Sequence, residues 1–324
     1  MPSHQPSTEP SMEAKPELFN AEARLFAHFA LDPRSRMLPL QEPPVTLRVR
    51  EAGSGEPALL MHGITLGSVH WAPMMARMRS LRCIAIDMPG HGGSGSVDYS
   101  GVDLRRWHTT MLENCLDALG LRSAHLIGHS YGGMFGMWLA LDSPERVRSV
   151  TAIGTPSVAF GAQPDVTLKM LAFPWVGRLS LALPSPLALY RRVLTHSLGR
   201  PAITASPPEL VRATYLGTRR PGLPLTVSSY LREQFRGVRA TPQRYVLQDR
   251  ELGRIRPPVL VVWGNRDNRY QPIAEGQRRT ALIPGSRFEL VHGGHEPWLD
   301  DPDGCAKLIT GFVASASPQR DADR

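Results

Sequence analysis

Residues 124–133 of this 324-residue chain read Ala-His-Leu-Ile-Gly-His-Ser-Tyr-Gly-Gly, and they are the strongest indication of fold in the sequence. A short apolar run ends at Gly128, and an apolar segment with helical spacing follows the two glycines. A serine in G-x-S-x-G between a strand and a helix is typical of a nucleophile elbow, in which a sharp turn projects the hydroxyl from the sheet edge. Gly128, Gly132 and Gly133 supply the small neighbours that such a turn needs. The pattern predicts that Ser130 is a nucleophile, and the alternative is an ordinary glycine turn that happens to hold a serine.

A serine hydroxyl becomes a useful nucleophile only when a base takes its proton and a third group orients that base. After an elbow these partners follow as an acid and then a histidine. The β-branched run Val259–Trp263 indicates a buried strand, and Asp267 lies in the loop after it. The run Arg287–Val291 indicates a further strand, and His295 follows it after two glycines. We therefore predict that Asp267 is the acid and His295 the base.

Both partners have alternatives. Asp267 could serve as a turn residue or a helix cap, because aspartate is common in both positions. His292 competes with His295 for the role of base. His295 is preferred because it follows the glycine pair and precedes the C-terminal helix region.

The negative charge that develops on a substrate oxygen needs two preset N–H donors. The N–H of Tyr131, at the start of the helix after the elbow, is one candidate. The apolar run Ala58–Met61 predicts a strand, and the N–H of Ile64 in the loop after it is the other candidate. His62 in that loop is expected to brace the backbone through hydrogen bonds rather than to take part in the chemistry.

Taken together, these motifs resemble the α/β-hydrolase-fold serine hydrolases over about residues 45–155 and 257–315. The resemblance implies an α/β fold with an eight-stranded, mostly parallel sheet, helices on both faces and a helical lid inserted after the strand near Ile153. It also implies a Ser-His-Asp triad with an oxyanion hole. The matching segments, in the order of that family, are His62-Gly63, Asp87 to Gly95, the elbow at Ser130, Trp263 to Asp267, and Gly293-Gly294-His295.

The expected organisation is a disordered leader at 1–20, a core at 21–155 and 257–315, a cap at 156–256 and a frayed tail at 316–324. Prolines punctuate the cap, which indicates several short helices. The predicted cap helices are Thr167–Phe173, Leu187–Ser197, Pro208–Thr218 and Thr226–Gly237.

Leu171, Phe173 and Trp175 are expected to line the inner wall of the cap and to bind an apolar acyl or alcohol part of the substrate. The alternative is that these side chains only pack the cap on the core. The cap also holds fourteen arginines and one lysine against five acidic residues. Such a basic cap could steer anionic substrates, or it could be a solvated, arginine-rich exterior.

Composition and short motifs argue against several other classes of protein, namely membrane-spanning, secreted, metal-binding and nucleotide-binding proteins. No apolar stretch approaches the roughly 20 residues that span a membrane, and the N-terminus lacks a signal-peptide layout, so a cytoplasmic protein is expected. Three cysteines without metal-like spacing predict free thiols. The glycine-rich segment Gly90–Gly95 lacks the P-loop ending. We expect no metal, no cofactor and no nucleic-acid partner, and the oligomeric state is left open.

The reaction predicted from this pattern is hydrolysis of a small-molecule carboxylic ester through an acyl-enzyme. Two alternatives use the same fold, namely carbon–carbon bond hydrolysis of vinylogous diketones and a cofactor-free perhydrolase or haloperoxidase activity. Epoxide hydrolases and haloalkane dehalogenases are disfavoured because those groups have aspartate where this chain has Ser130. A different class is a binding protein that retains the triad of a hydrolase fold.

Overall fold

The computed structural model describes residues 16–156, 160–183, 185–235, 243–268 and 270–317. Its centre is an eight-stranded sheet in the order β1-β2-β4-β3-β5-β6-β7-β8. The pairings of β1 with β2 and of β2 with β4 are antiparallel, and all the other pairings are parallel. The predicted α/β fold with an eight-stranded, mostly parallel sheet is confirmed. The strands are β1 Arg34–Leu40, β2 Val45–Ala52, β3 Glu56–Met61, β4 Leu81–Asp87, β5 Ala124–His129, β6 Val147–Ile153, β7 Val259–Gly264 and β8 Arg287–Val291.

Helices cover both faces of the sheet. Strands β5 and β7 are buried along their whole length, which explains why both are apolar on successive residues rather than alternating. Helices α3 and α4 pack in the core on one face, and α2 and α14 pack on the other. These helices and the other core helices are α1 Pro16–His28, α2 Ala72–Met75, α3 Leu104–Ala118, α4 Tyr131–Asp142, α12 Ile273–Thr280, α13 Pro297–Asp300 and α14 Pro302–Ala316.

The insertion between β6 and β7 contains helices and no strand in the part that the structure describes. The prediction for Pro208–Thr218 matches α9, and that for Leu187–Ser197 falls one residue short of α7. The helix predicted at Thr226–Gly237 starts three residues late, and residues 236–237 lie outside the described residues. Three helices, α6, α8 and α11, were not predicted. For α6 and α8 the reason is that a proline in the first turn of each was taken as punctuation. The helices of the insertion are α5 Val166–Leu171, α6 Pro174–Ala182, α7 Leu187–Leu198, α8 Arg200–Ala205, α9 Pro208–Thr218, α10 Leu223–Phe235 and α11 Asp249–Leu252.

Helix α1 is tied to the sheet by a buried ion cluster. Glu22 of α1 accepts from Arg48 at 2.7 Å and from Arg50 at 2.6 Å, and both arginines belong to β2. Asp87 at the end of β4 accepts from Arg48 Nε at 2.6 Å. Burial disfavours the charged form of Asp87, but Arg48 and Arg50 outweigh it and hold the pKa of this carboxyl well below its ordinary value.

The expected leader at 1–20 is therefore wrong for residues 16–20, which begin α1; residues 1–15 lie outside the described residues. The expected tail at 316–324 is likewise wrong at Ala316, which is the last residue of α14. Residues 318–324 lie outside the described residues. In the described ranges, no helix combines the length and the apolar character that a membrane crossing requires.

Candidate active site

Ser130 lies in a strained turn between β5 and α4. Its backbone has φ +51° and ψ −107°, a conformation that few non-glycine residues adopt. Its N–H donates to the carbonyl of Ile153 on β6 at 3.0 Å, which holds the turn against the neighbouring strand. A Cβ at Gly132 would overlap the carbonyl of Met61, and one at Gly128 would overlap Gly132. The glycines of the motif are thus required by the close approach of β3, β5 and α4.

Asp267 and His295 meet in the loops after β7 and β8. The two side chains are joined by a 2.8 Å hydrogen bond between His295 Nδ1 and Asp267 Oδ2. Nδ1–H donates to the carboxylate, so Nε2 is the ring nitrogen that can take a proton from a substrate or a serine. Thr155 also donates to Asp267 Oδ2, through its N–H at 3.2 Å and its hydroxyl at 3.4 Å. His295 and Ser130 line the same cavity.

The competing histidine, His292, has a different environment. Its Nε2 accepts a hydrogen bond from Arg266 at 2.9 Å, and Arg266 in turn pairs with Asp300 at 2.7 Å. His292 is absent from the residues that line the cavity with Ser130. Of these two histidines, His295 is the one that shares the cavity with Ser130.

The two candidate oxyanion donors also border this cavity. Tyr131 is the first residue of α4, at the positive end of the helix dipole. Ile64 lies in the loop after β3, beside Thr65, whose φ of +61° marks a strained backbone. Both N–H groups are thus presented by segments whose conformation is fixed by other contacts.

Two buried histidines fix the loop that carries Ile64. His62 Nδ1 donates to the carbonyl of Gly63 at 2.7 Å, and its Nε2 accepts from the N–H of Met88 at 2.9 Å. His91 Nε2 accepts from the N–H of Thr65 at 3.1 Å. Burial lowers the pKa of His62 to about 3 and also lowers that of His91, so both rings stay neutral and keep an acceptor nitrogen. The bracing role predicted for His62 agrees with these bonds.

A second buried network lies behind His295, and sequence reasoning missed it. His129, just before Ser130, bonds through Nε2 to the carbonyl of His295 at 3.1 Å, and its ring centre lies 4.6 Å from that of His295. Its Nδ1 lies 3.5 Å from Glu296 Oε1, and Glu296 Oε2 is 2.8 Å from Nδ1 of His70. Burial, together with the nearby His295 and His70, holds the pKa of His129 well below its ordinary value.

This network extends to the cap, because His70 Nε2 bonds to the hydroxyl of Thr214 on α9 at 2.8 Å. The side chains of His70, His129 and Glu296 are almost completely buried. The available signal was the position of Glu296 directly after His295, since a charged residue in that place needs a buried partner. Nothing in the sequence indicated that His70 was the partner.

The cavity has a volume of about 380 Å³ and lies between the carboxyl edge of the sheet and the cap. Its cap walls are mainly aliphatic, with Arg219 and Asp165 among the polar exceptions. The aliphatic residues are Leu168, Leu171, Leu181, Leu183, Leu189, Val193, Leu194 and Leu198.

Of the three residues predicted to bind substrate, only Leu171 lines the cavity. The prediction is wrong for Phe173 and Trp175, whose side chains are 41% and 83% exposed on the outer surface. The reason is the orientation of α6. Gly177 faces inward against the carbonyl of Leu171, and Trp175, two residues earlier, points about 200° away around the helix.

Comparison with known proteins gives a consistent result. The model of the alpha/beta hydrolase family matches residues 58–308. A protein of Klebsiella pneumoniae named 2-hydroxy-6-oxononadienedioate/2-hydroxy-6-oxononatrienedioate hydrolase is 28% identical over 298 residues, which cover 87% of this chain and 96% of the relative.

Two solved structures share the fold. A carboxylesterase from Bacillus subtilis aligns with a TM-score of 0.69 at 21% identity, covering 94% of this chain and 99% of the other. A meta-cleavage product hydrolase from Pseudomonas fluorescens aligns with a TM-score of 0.68 at 22% identity, covering 88% and 98%. At these identities the likeness concerns the fold and leaves the substrate open.

Proposed function

Since the chain belongs to the alpha/beta hydrolase family, we propose that it is a serine hydrolase in which Ser130 is the nucleophile, His295 the base and Asp267 the orienting acid. The observation that carries the proposal is the 2.8 Å bond between His295 and Asp267 at the wall of the cavity that also holds Ser130. The three residues follow strands β5, β7 and β8, so one edge of the sheet presents them together.

In the proposed reaction, Ser130 Oγ attacks the substrate carbonyl while Nε2 of His295 takes the hydroxyl proton. Asp267 keeps the ring in the required tautomer and stabilises the imidazolium that forms. The N–H groups of Tyr131 and Ile64 stabilise the negative charge on the tetrahedral oxygen. His295 then returns the proton to the leaving group, and a water molecule activated by His295 hydrolyses the acyl-enzyme.

A carboxylic ester with an apolar acyl or alcohol part is the substrate class that the cavity supports best. The aliphatic side chains of its cap walls would bury an alkyl or aryl group, at about 0.8 kcal/mol for each buried CH₂. Ligand cavities of a few hundred Å³ suit small molecules rather than polymers.

Carbon–carbon bond hydrolysis is a second candidate, because the Klebsiella relative is named as a hydrolase of a hydroxy-oxo-dienedioate. The same three side chains would serve, with a ketone in place of the ester. Arg219 at the cavity wall would be the partner for a substrate carboxylate. This candidate predicts turnover of vinylogous diketone acids and poor turnover of simple alkyl esters.

The test is a comparison of the wild type with Ser130→Ala on p-nitrophenyl esters of increasing chain length and on a vinylogous diketone acid. We expect ester turnover that improves with chain length, and a loss of roughly a thousandfold or more in kcat for Ser130→Ala without a change in the circular dichroism spectrum. The matched control is Ser197→Ala, since Ser197 lines the same cavity but lies on α7.

Retention of wild-type turnover by Ser130→Ala would reject the nucleophile. Cleavage of the diketone acid alone would select the second candidate. Failure of the folded wild type to react with a fluorophosphonate probe would favour a binding protein that only retains the triad.

A further inference from the structure

Most of the large apolar side chains that are exposed in the described part of the chain lie on helices α5–α7 and the segments that join them. Ten of the thirteen large apolar side chains that are exposed among the described residues lie between positions 166 and 193. Single exposed apolar residues are ordinary, but ten within 28 residues of sequence indicate an interaction site. We call this group the cap patch; it consists of Val166, Met170, Phe173, Trp175, Val176, Leu179, Leu183, Leu187, Leu189 and Val193.

Exposed apolar residues of the cap patch recur four positions apart along α6 and α7. Trp175 and Leu179 on α6 are four residues apart, with side chains 83% and 59% exposed, and Leu189 and Val193 on α7 repeat this spacing. Residues four apart lie above one another on one side of a helix. A surface helix ordinarily directs polar side chains to that side. Helix α6 therefore presents an apolar side to solvent, and the apolar side of α7 is shared between solvent and the cavity.

The charged residues within the sequence span of the cap patch have one sign. Residues 166–208 contain one lysine and four arginines and no aspartate or glutamate. Arg178, Arg191 and Arg192 are exposed and lie on the same helices as the patch. A second copy of the chain placed on this surface would oppose these cations to each other, which disfavours self-association there.

Exposed tryptophan and leucine beside arginine, without acidic residues, is the composition of helices that lie in the interface of an anionic membrane. The apolar side chains enter the boundary between headgroups and acyl chains, and the cations stay with the lipid phosphates. Charge complementarity thus selects an anionic lipid surface as the partner.

The cap patch is continuous with the cavity. Leu183, Leu189 and Val193 belong to the patch and also line the cavity that contains Ser130. An apolar molecule that leaves a lipid layer at these residues would reach the cavity along side chains of matching polarity. A docked cap would therefore place the cavity entrance at the lipid.

We propose that the cap patch docks on an anionic lipid surface and that the cavity takes its apolar substrate from that surface. The docking is independent of catalysis, and the uptake of substrate rests on the proposed hydrolase function. The two parts can therefore fail separately.

The test is co-sedimentation of the full chain with phosphatidylcholine vesicles that contain or lack phosphatidylglycerol. We expect binding to the anionic vesicles, weak binding to the neutral ones, and weakening with salt. The double variants Trp175→Ser/Leu179→Ser and Arg191→Glu/Arg192→Glu should each reduce the partition coefficient by about tenfold or more.

Matched controls are Leu290→Ser and Arg122→Glu. Leu290 is 54% exposed and lies on β8, outside the cap. Arg122 is exposed and lies just before β5, at the amino-terminal ends of the parallel strands, whereas the cavity lies at their carboxyl ends. Both controls should bind the anionic vesicles as the wild type does. Ser130→Ala should also bind unchanged, so that vesicle binding and ester turnover are measured independently.

Tryptophan fluorescence gives a second readout, because Trp71, Trp138, Trp263 and Trp298 are fully buried and Trp107 on α3 is half-buried, whereas Trp175 is 83% exposed. Anionic vesicles should shift the emission to shorter wavelength, and Trp175→Phe should abolish the shift. Absence of wild-type binding, or equal binding by both double variants, would overturn the proposal. A dimer that Trp175→Ser dissociates, without vesicle binding, would show instead that the cap patch joins two copies.

Discussion

The strained conformation of Ser130 is maintained by bonds to two neighbouring elements. A residue in such a sparsely populated region costs about 1–3 kcal/mol. The N–H of Ser130 bonds to β6 and its carbonyl accepts from the first turn of α4, so the turn cannot relax without losing both bonds. These bonds to the surrounding structure thus hold Ser130 in a backbone conformation that a serine would not adopt on its own.

Glu296 is predicted to position His295, its neighbour in the chain, through its buried 2.8 Å bond to His70 and without touching substrate. Glu296→Leu leaves Nδ1 of His70 without its 2.8 Å partner in a fully buried site. We expect a loss of about 3–5 kcal/mol in the free energy of unfolding, since removing one partner of a buried pair leaves the other uncompensated. We also expect kcat to fall while KM changes little, because loss of the bond to His70 releases the segment that carries His295.

The matched variant is Glu296→Gln, whose amide retains the shape and can still accept from His70. It should recover most of the stability and of kcat, as judged by urea unfolding and ester kinetics. A Glu296→Leu enzyme with the stability and kcat of the wild type would contradict the positioning role.

The positions of Ser130, Asp267 and His295 at the ends of strands could be predicted from the sequence, because each follows a recognisable apolar run. Thr155 and Glu296 were missed for a common reason. Thr155 donates to Asp267, which is 112 positions away, and His70 meets Glu296 across 226 positions. Such contacts depend on which loops share the sheet edge, and no local pattern contains that information.

Among the elements of the cap, the positions of the helices along the chain were predicted better than which side of each helix is buried. Helix α9 was predicted with both ends correct, since prolines precede it and Arg219-Arg220-Pro221 follows it. The orientation of α6 could not be predicted, because apolar side chains occur all round that helix. The period of the apolar residues then no longer distinguishes an inner face, which is why Trp175 was assigned to the wrong side.

Gly177 is predicted to set the spacing between α5 and α6. An added Cβ would overlap the carbonyl of Leu171, so Gly177→Ala must push α5 away from α6. We expect a loss of about 1–3 kcal/mol in the free energy of unfolding. Because Leu171 lines the cavity, KM for long-chain esters should change more than kcat.

Gly217→Ala on α9 is the matched control, because an added Cβ there meets nothing within 4 Å. That variant should be as stable as the wild type or more stable by up to about 1 kcal/mol, from the higher helix propensity of alanine. Urea unfolding of both variants distinguishes the packing effect from propensity. Equal stabilisation by both substitutions would show that α5 and α6 are not in close contact.

For the whole molecule, the parallel part of the sheet was predictable and its antiparallel edge was not. Strands β5 and β7 are short apolar runs followed by site motifs, which is the pattern of buried parallel strands. Strand β1 is mostly exposed or half-buried, and its sequence, Arg-Ser-Arg-Met-Leu-Pro-Leu, carries little signal. The first five residues of α1 were assigned to the leader. The helix is anchored by Glu22, which pairs with arginines that lie 26 and 28 positions further along, and no local pattern shows that pairing.

Buried neutral histidines make the stability of the whole fold sensitive to mild acid. Burial lowers the pKa of His62 and His108 to about 3 and that of His125 to about 4, from an ordinary value of 6.5. Below pH 6.5 the unfolded chain takes up protons at these rings and the folded chain does not. Folding stability is therefore fully present above pH 6.5 and falls as the pH drops, by about 1.4 kcal/mol per pH unit for each such ring.

The test is the free energy of unfolding in urea between pH 6.5 and pH 4.5, a window above the ordinary pKa of aspartate and glutamate. His125→Asn removes one of these rings while an amide can still reach Ser149, which His125 Nδ1 contacts at 2.8 Å. The slope of stability against pH should then decrease by about 1.4 kcal/mol per pH unit. His28→Asn, at an exposed position of α1, is the matched control and should leave the slope unchanged. A wild type whose stability is constant across this window would show that the buried rings accept protons in the folded state.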